Sequence, residues 1–319
     1  MSILKKALAA AVVAGLVSTV GVVPANSAPK NQARSVAQAD WLEANLDNPK
    51  VRIIEVSTEP GIYERGHIKN AIKFVWHTDL VDTVNRDIIN AKNFSKLVQK
   101  AGISDDTTVV LYGDKNNWFA AWGAWIFNLY GAKDVRILDG GRVKWEKDGR
   151  ALTTAVTTKA KGNFTSTRLD KTLRATLLQD IIQVAKKRVK VDLIDIRSAD
   201  EYSGKLFAPA GFQELAVRAG HIPCAINIPW GLIVNADGTF KTVAELKKVY
   251  ADKGVEGKQP IITYCRIGER SSLTWFVLSE ILGYDVKNYD GSWTEYGNTV
   301  GVPISNPSGT IWGNSKFLQ

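Results

Sequence analysis

Cysteine is scarce in this chain of 319 residues, which contains only Cys224 and Cys265. Two cysteines cannot make the disulfide framework of a small secreted scaffold, and a chain of this length buries a large core without one. The sequence also has no Cys-x-x-Cys motif, which disfavours a dithiol redox protein. The low count leaves room for one reactive thiol.

Dense basic stretches are also missing, although the formal net charge is +9. Lysine and arginine are spread along the chain, and we interpret the densest run, residues 186–188 (KKR), as the solvated end of a helix. Nucleic-acid recognition is better supported by a clustered basic surface or a reading motif. We therefore predict no nucleic-acid partner, and we expect small anionic substrates instead.

Residues 1–28 have the pattern of a secretory signal peptide. Lys5 and Lys6 give a positive start, residues 7–23 are uncharged and mostly apolar, and small residues follow. We expect an exported protein, periplasmic or extracellular, with no stable membrane insertion after cleavage. An uncleaved anchor is the alternative, because the apolar run is close to the roughly 17 residues at the lower limit of a span.

The rest of the chain carries two copies of one pattern. Residues 66–72 (GHIKNAI) correspond to residues 220–226 (GHIPCAI). A short apolar run precedes each copy and another follows it, and such runs are typical of buried parallel strands. These predicted strands are residues 51–56 and 108–112 in the first copy, and residues 191–196 and 260–264 in the second.

A helical pattern follows the last predicted strand of each copy. One helix is predicted from residue 118 until Gly131, and the other presents Leu273, Phe276, Val277 and Ile281 on one face until Gly283. Strands alternating with helices predict an α/β fold with parallel sheets. We place the two domains at residues 36–152 and 165–312, joined by a linker at residues 153–164.

Cys265 opens the loop CRIGER between the last strand and its helix, which we expect to begin near Ser271. Ligands of parallel sheets bind beyond the carboxyl ends of the strands, and a tight turn at Gly268 can direct backbone N–H groups toward the first side chain. The helix N-terminus, Arg266 and Arg270 add positive potential. We therefore predict a Cys265 pKa below the free value of about 8.5.

Other chemistries of a cysteine loop fit less well. A cysteine phosphatase or arsenate reductase places five residues between Cys and Arg, whereas four separate Cys265 from Arg270. A Cys/His hydrolase needs a histidine base, but His67 and His221 occupy matching positions of the repeat, so we expect them to be structural. Cys224 matches Asn70, and we interpret it as a tolerated turn residue rather than a resolving thiol.

These features resemble the tandem-domain rhodaneses, the thiosulfate/3-mercaptopyruvate sulfurtransferase family. The resemblance covers nearly all of the chain after residue 28 and is carried by LIDIR (193–197), GHI (220–222), AINIP (225–229), YCRIGER (264–270) and YDGSW (289–293). It implies two tandem rhodanese-like domains, each a parallel sheet flanked by helices. It also implies a non-catalytic first domain, in agreement with Gly113 at the position of Cys265. We expect the first domain to pack against the second and wall its pocket.

The resemblance also implies the chemistry. The Cys265 thiolate attacks the outer sulfur of an anionic donor, with thiosulfate favoured, and a thiophilic acceptor such as cyanide or a thiol takes the sulfur from the persulfide. Arg266 and Arg270 are expected to orient the donor. The loop backbone through Ile267, Gly268 and Glu269 is expected to stabilise the persulfide. No metal or organic cofactor is required. The internal duplication, rather than the resemblance, favours a monomer.

Two departures from the family pattern leave alternatives open. Ile267 stands where thiosulfate-type loops carry a basic residue, and Glu269 dilutes the positive charge. An exported sulfur carrier or anion-binding module without useful turnover therefore stays open, as does a 3-mercaptopyruvate sulfurtransferase. Asp195 and Arg197 end a strand on the side of the loop, where we expect a buried ion pair that supports the site, with side chains that face the pocket as the alternative.

Overall fold

The computed structural model describes residues 32–166, 169–209, 211 and 215–311. The predicted signal peptide, residues 1–28, lies outside the described residues, as does residue 312 at the end of the second predicted domain. Among the residues that the structure describes, no helix has the length and apolar character needed to cross a bilayer.

The apolar runs of the first copy form the centre of a five-stranded parallel sheet. Its strands follow the order β1-β7-β6-β2-β3, and Ile53 of β2 pairs with Val110 of β6. A separate antiparallel pair, β4 and β5, lies outside it. The strands are β1 (Val36–Ala37), β2 (Val51–Glu55), β3 (Ala71–Lys73), β4 (Val81–Asp82), β5 (Asp87–Ile88), β6 (Thr108–Tyr112) and β7 (Asp134–Leu138).

The helices of the first copy connect these strands. The predicted helix from residue 118 is α6; it is apolar nearly all round because most of its side chains are buried, and Gly131 takes a left-handed φ of 82° just beyond its end. The helices are α1 (Gln32–Ser35), α2 (Ala39–Ala44), α3 (Ile62–Arg65), α4 (Trp76–Asp79), α5 (Ala91–Lys100), α6 (Trp118–Leu129) and α7 (Gly141–Lys147).

The second copy builds a four-stranded parallel sheet in the order β11-β10-β8-β9. Its strands are β8 (Asp192–Asp195), β9 (Ile226–Asn227), β10 (Ile261–Tyr264) and β11 (Val286–Asn288), and its helices are α8 (Ile182–Ala185), α9 (Ala199–Ser203), α10 (Val243–Ala251), α11 (Glu269–Phe276) and α12 (Ser292–Asn298). The predicted strands at 191–196 and 260–264 thus correspond to β8 and β10. Both sheets confirm the predicted α/β fold.

Helix α11 begins at Glu269, two residues earlier than predicted, and continues as a π-helical turn over Val277–Ile281. The early start follows from Gly268, whose left-handed backbone turns the chain directly from the loop into the helix. Helix α11 packs against α6 of the first copy, and one hydrophobic core contains side chains of both. The expected packing of the two domains is therefore confirmed.

The connection between the copies lies along the first one. Residues 154–166 form no helix or strand. They are held by backbone hydrogen bonds, from Gly162 to Gln99 and from Phe164 to Ile103. These contacts satisfy backbone groups that would otherwise lack partners, so the linker is anchored rather than free.

Candidate active site

Cys265 is the first residue after β10, and its side chain is completely buried. Its backbone is fixed by the segment that follows β11. The Cys265 N–H donates to Ser292 Oγ at 3.1 Å, and its carbonyl accepts from the Trp293 N–H at 3.0 Å. Two neighbouring strand ends therefore hold the thiol in place, at the edge of the sheet where ligands of parallel sheets bind.

Gly268 turns the loop back over the thiol. Its backbone N–H donates to Cys265 Sγ at 3.1 Å, which confirms the predicted inward direction of this amide. Gly268 has a φ of 101°, and a Cβ atom there would lie 2.6 Å from the Trp122 ring and 2.8 Å from the Asp290 Cα. A side chain would be excluded both by this crowding and by the left-handed backbone.

Glu269 places a carboxylate beside the thiol. Its Oε2 atom lies 3.4 Å from Cys265 Sγ, and the glutamate side chain is itself buried. Burial raises the Cys265 pKa, and the negative charge of Glu269 adds to the rise; Arg270 and the backbone amides of Ser271 and Gly268 oppose it. The prediction of a lowered pKa was therefore wrong, because desolvation and the carboxylate outweigh the positive groups of the loop.

Arg270 forms a bidentate ion pair with Glu201 at the start of α9. Its Nη1 and Nη2 atoms donate to the two carboxylate oxygens at 3.1 and 3.0 Å. Glu201 also accepts from the N–H and hydroxyl of Ser198, which completes the cap of α9. Burial favours the neutral acid, but the hydrogen bonds and charge of Arg270 prevail and lower the Glu201 pKa. The charge of Arg270 is thus largely balanced, and its expected contact with a donor stays a prediction.

Arg266 is held through its backbone carbonyl, which accepts from the N–H and the hydroxyl of Thr294 at 2.9 and 2.8 Å. Its side chain lines a cavity of about 500 Å³, together with Glu269 and Arg270. The structure therefore brings the three charged side chains of the predicted loop to one cavity. Ile267 lines a separate cavity of about 340 Å³ on the side of Asp290.

The larger cavity lies between the two copies of the fold. Trp118 of α6 lines it from the first copy, and its ring meets Trp230 of the second edge-on, with the centroids 4.8 Å apart. This contact confirms the expectation that the first domain walls the pocket. Leu206, Pro209 and Pro229 add apolar residues to the lining of this cavity.

Asp195 and Arg197 form the expected buried ion pair, with Arg197 Nη2 at 2.6 Å from Asp195 Oδ2. Tyr264, directly before Cys265, donates its hydroxyl to the same carboxylate at 2.7 Å. Arg197 also donates to the Gly220 carbonyl at 2.8 Å and stacks over the Trp293 ring at 4.8 Å. These contacts fix the end of β10, directly before Cys265. The Asp195–Arg197 pair therefore supports the site through Tyr264.

The first copy contains the same cluster with its arginine from another element. Tyr112 donates to Glu55, and Arg142 of α7 donates to that carboxylate at 3.0 Å and to the Gly66 carbonyl. Sequence reasoning missed this cluster, although the tyrosine at matching positions of the two copies was a signal for it.

The side chain of Asn117 closes the loop that begins at Gly113 in the first copy. Asn117 accepts from the Gly113 N–H at 3.0 Å and donates to the Leu138 carbonyl at 2.8 Å. A Cβ atom on Gly113 would lie 2.2 Å from the carbonyl oxygen of Val56. The first copy therefore has no thiol at the position of Cys265 and no room for one there.

The histidines of the repeat have structural contacts, as predicted. The His221 ring stacks on Tyr202 at 3.6 Å and places Nδ1 2.7 Å from the Tyr202 carbonyl oxygen, and its pKa is lowered by burial. His67 has the same stacking on Tyr63, at 3.8 Å. Cys224 is exposed in a left-handed turn with a φ of 71°, as expected of a turn residue.

Glu201, Ser292 and the Trp118–Trp230 pair are the site residues that sequence reasoning missed. The spacing of Ser198 and Glu201 is that of a capping box and could have indicated the start of α9. The sequence has no local signal that Glu201 would also pair with Arg270, because 69 positions separate them.

Comparison with known proteins gives a consistent result for both copies. The model of the rhodanese-like domain matches residues 38–148 and 178–299. A protein of Mycobacterium tuberculosis named "Putative thiosulfate sulfurtransferase" is 53% identical over 271 residues, 84% of this chain and 96% of that protein. The "Sulfur carrier protein TtuD" of Thermus thermophilus is 50% identical over 275 residues, 85% of this chain and 96% of that protein.

A solved structure shares the fold of the whole tandem. SseA from Escherichia coli, described as a 3-mercaptopyruvate sulfotransferase, matches with a TM-score of 0.69 and 26% identity, over 81% of this chain and 98% of that chain. Cys265 and its loop lie in the second matched segment, and Gly113 lies in the first.

Proposed function

Because the chain belongs to the rhodanese family, we propose that it transfers sulfane sulfur from thiosulfate to a thiophilic acceptor through a persulfide on Cys265. The observation that carries this proposal is the thiol at the end of β10 under the Gly268 N–H. An amide that already contacts Sγ at 3.1 Å is positioned to stabilise negative charge on sulfur, at no reorganisation cost during the reaction.

The size of the cavity beside the loop supports a small donor rather than a macromolecular one. This cavity of about 500 Å³ lies between the two domains, and the charged residues of the loop form part of its lining. Arg266 offers a guanidinium to an anionic donor, a group suited to bidentate contact with oxyanions. We propose that thiosulfate binds here with its outer sulfur toward Cys265 and that sulfite leaves through the same cavity.

The reaction balances without a cofactor. The Cys265 thiolate forms a bond to the outer sulfur of thiosulfate, the sulfur–sulfur bond of thiosulfate breaks, and its electron pair leaves with sulfite. The acceptor, cyanide or a thiol, then attacks the outer sulfur of the persulfide and restores Cys265. Two steps through a covalent intermediate predict ping-pong kinetics.

The test is sulfite and thiocyanate production from thiosulfate and cyanide. Cys265→Ser should abolish both products, because no other buried thiol is found among the described residues. Cys224→Ser is the matched control, since this cysteine is exposed in a turn, and it should leave the rate unchanged. Turnover that survives Cys265→Ser would exclude the proposal.

A sulfur carrier is the second candidate, favoured by the complete burial of Cys265 and by the raised pKa of its thiol. A carrier accepts sulfur but does not pass it rapidly to small acceptors. Intact mass after thiosulfate treatment distinguishes the two functions: a carrier gains one sulfur atom on Cys265 and produces no thiocyanate with cyanide.

We also propose that residues 1–28 direct export of the protein. The charge and hydropathy pattern of this segment supports the proposal. Amino-terminal sequencing of protein recovered outside the cytoplasm should find the chain starting after Ala25, Ser27 or Ala28. Recovery of the intact chain with Met1 inside the cell contradicts it.

A further inference from the structure

Glu269 is the acidic group nearest to the proposed nucleophile. Its Oε2 atom is 3.4 Å from Cys265 Sγ, which is within reach of an S–H···O hydrogen bond. Both side chains are buried, but Glu269 lines the cavity whereas Cys265 does not. Glu269 therefore contacts both the Cys265 thiol and the cavity in which we propose that a donor binds.

The position of Glu269 has a counterpart in the first copy. Asn117 stands four residues after Gly113, as Glu269 stands four residues after Cys265. In both copies this side chain contacts the first residue of its loop, through the Gly113 N–H in one and through Cys265 Sγ in the other. In both copies the side chain of the fifth loop residue therefore points toward the first loop residue. In the second copy this arrangement places the Glu269 carboxylate beside the Cys265 thiol.

We propose that Glu269 is a catalytic residue that accepts the thiol proton of Cys265. This inference rests on the proposed sulfur transfer. The S–H bond breaks and an O–H bond forms on Glu269, which converts a thiol and a carboxylate into a thiolate and a neutral carboxylic acid. The thiolate then forms its bond to the outer sulfur of the donor, sulfite departs with the electron pair, and the acid can return the proton to sulfite.

The transfer solves an electrostatic problem of the loop. A carboxylate beside the thiol repels the negative charge that forms on sulfur, and this repulsion is absent while Glu269 holds the proton. The charged groups that face Glu269 are Arg270, whose Nε is 3.7 Å from Oε1, and Arg266 and Glu201 around the cavity. The net charge at the loop stays unchanged when the proton moves from sulfur to oxygen, because both groups belong to the loop. The charge of Arg270 is balanced by its pair with Glu201.

The test compares Glu269→Gln with Glu269→Asp in a Cys224→Ser background, which leaves Cys265 as the only thiol. Two reactions are followed by intact mass across pH 5.5–9: single-turnover sulfur uptake from thiosulfate, and alkylation by the neutral reagent iodoacetamide. Glu256→Gln is the matched control, because it makes the same chemical change at a site outside the cavity lining.

Loss of a proton acceptor should slow both reactions of Glu269→Gln about 100-fold at pH 6, a typical effect for one general base. The deficit should shrink as the pH rises, because hydroxide and buffer replace the base. Glu269→Asp should stay within about tenfold of the parent, since it keeps a carboxylate. A glutamate that only repels negative charge predicts the opposite, a Glu269→Gln variant that reacts faster at every pH.

The outcomes separate this inference from the proposed function. If Glu269→Gln reacts as fast as the parent or faster at pH 6, in either reaction, the inference that Glu269 is the proton acceptor is refuted. Absence of sulfur uptake in the parent overturns the thiosulfate reaction. In that case, slow alkylation of Glu269→Gln alone still supports Glu269 as the base. A parent whose Cys265 reacts with neither reagent overturns both proposals.

Discussion

Arg270 and Glu201 offer a quantitative test of how the active-site loop is held. The change Arg270→Met keeps most of the side-chain length but leaves Glu201, which is 1% exposed, without its cationic partner. Breaking one side of a buried ion pair costs about 3–5 kcal/mol. Glu201 keeps its two hydrogen bonds from Ser198, so we expect about 3 kcal/mol, at the lower end.

The double variant Arg270→Met/Glu201→Gln separates the cost of an unpaired charge from the value of the pair. Its glutamine can still accept from the Ser198 N–H, and residue 201 no longer carries an unpaired buried charge. Both variants lose the contact of Arg270 with Glu269, so that loss cancels when the two are compared. We expect it to lie within about 1–2 kcal/mol of the parent, because removing both partners of a buried pair costs far less than removing one. The double variant should therefore be more stable than Arg270→Met.

Urea unfolding provides the measurement, with tryptophan fluorescence and circular dichroism as parallel probes because two domains need not unfold in one step. A loss below about 1 kcal/mol in Arg270→Met, or a double variant no more stable than the single one, refutes the electrostatic reasoning. Sulfite release by the double variant then reports what the charge of Arg270 contributes to donor binding in a folded loop.

Three further predictions follow from the geometry. Gly268→Ala should destabilise the protein by about 2–4 kcal/mol in urea unfolding and abolish sulfur uptake, because its Cβ would meet the Trp122 ring at 2.6 Å on a left-handed backbone; normal uptake contradicts this. Gly113→Cys should lower the unfolding midpoint and gain no second sulfur by mass beyond the one on Cys265, since its Cβ would lie 2.2 Å from the Val56 carbonyl oxygen. The lowered pKa of Glu201 contributes stability that is present above its unfolded value of about 4.3 and is lost as the pH falls through the folded value. Urea midpoints from pH 3 to 7 should therefore fall less on acidification in Glu201→Gln than in the parent.

Local features of the sequence predicted the centre of each sheet well. The apolar runs became β2, β6, β8 and β10 because a strand buried on both faces needs apolar side chains at successive positions. The four edge strands, β1, β3, β9 and β11, are only two or three residues long. A segment that short has no measurable periodicity, and its pairing depends on the strand already in place beside it.

The site was predictable where its geometry is local. The turn at Gly268 and the direction of its N–H follow from six consecutive residues, and the structure confirms both. The sign of the Cys265 pKa shift was not predictable in this way, because it depends on burial beneath a neighbouring domain and on the direction of Glu269. Arg270 was expected to orient a donor, and its charge is balanced by Glu201 of helix α9, a partner that the loop sequence does not indicate.

The internal duplication separates scaffold from chemistry within a single chain. The tyrosine–carboxylate–arginine cluster occurs in both copies, and one of them has no nucleophile, so this cluster cannot be specific to sulfur transfer. Its shared role is to fix the strand end from which each loop departs. The residues that differ between the copies are the ones that carry the chemistry, and the clearest case is the fifth loop position. The Asn117 amide closes a loop by accepting from the Gly113 N–H. In the second copy the Cys265 N–H donates to Ser292 Oγ, and the Glu269 carboxylate contacts the thiol. A neutral hydrogen-bonding side chain would suffice for closure, so the charge at Glu269 requires a different reason, and a buried thiol that must lose a proton provides one.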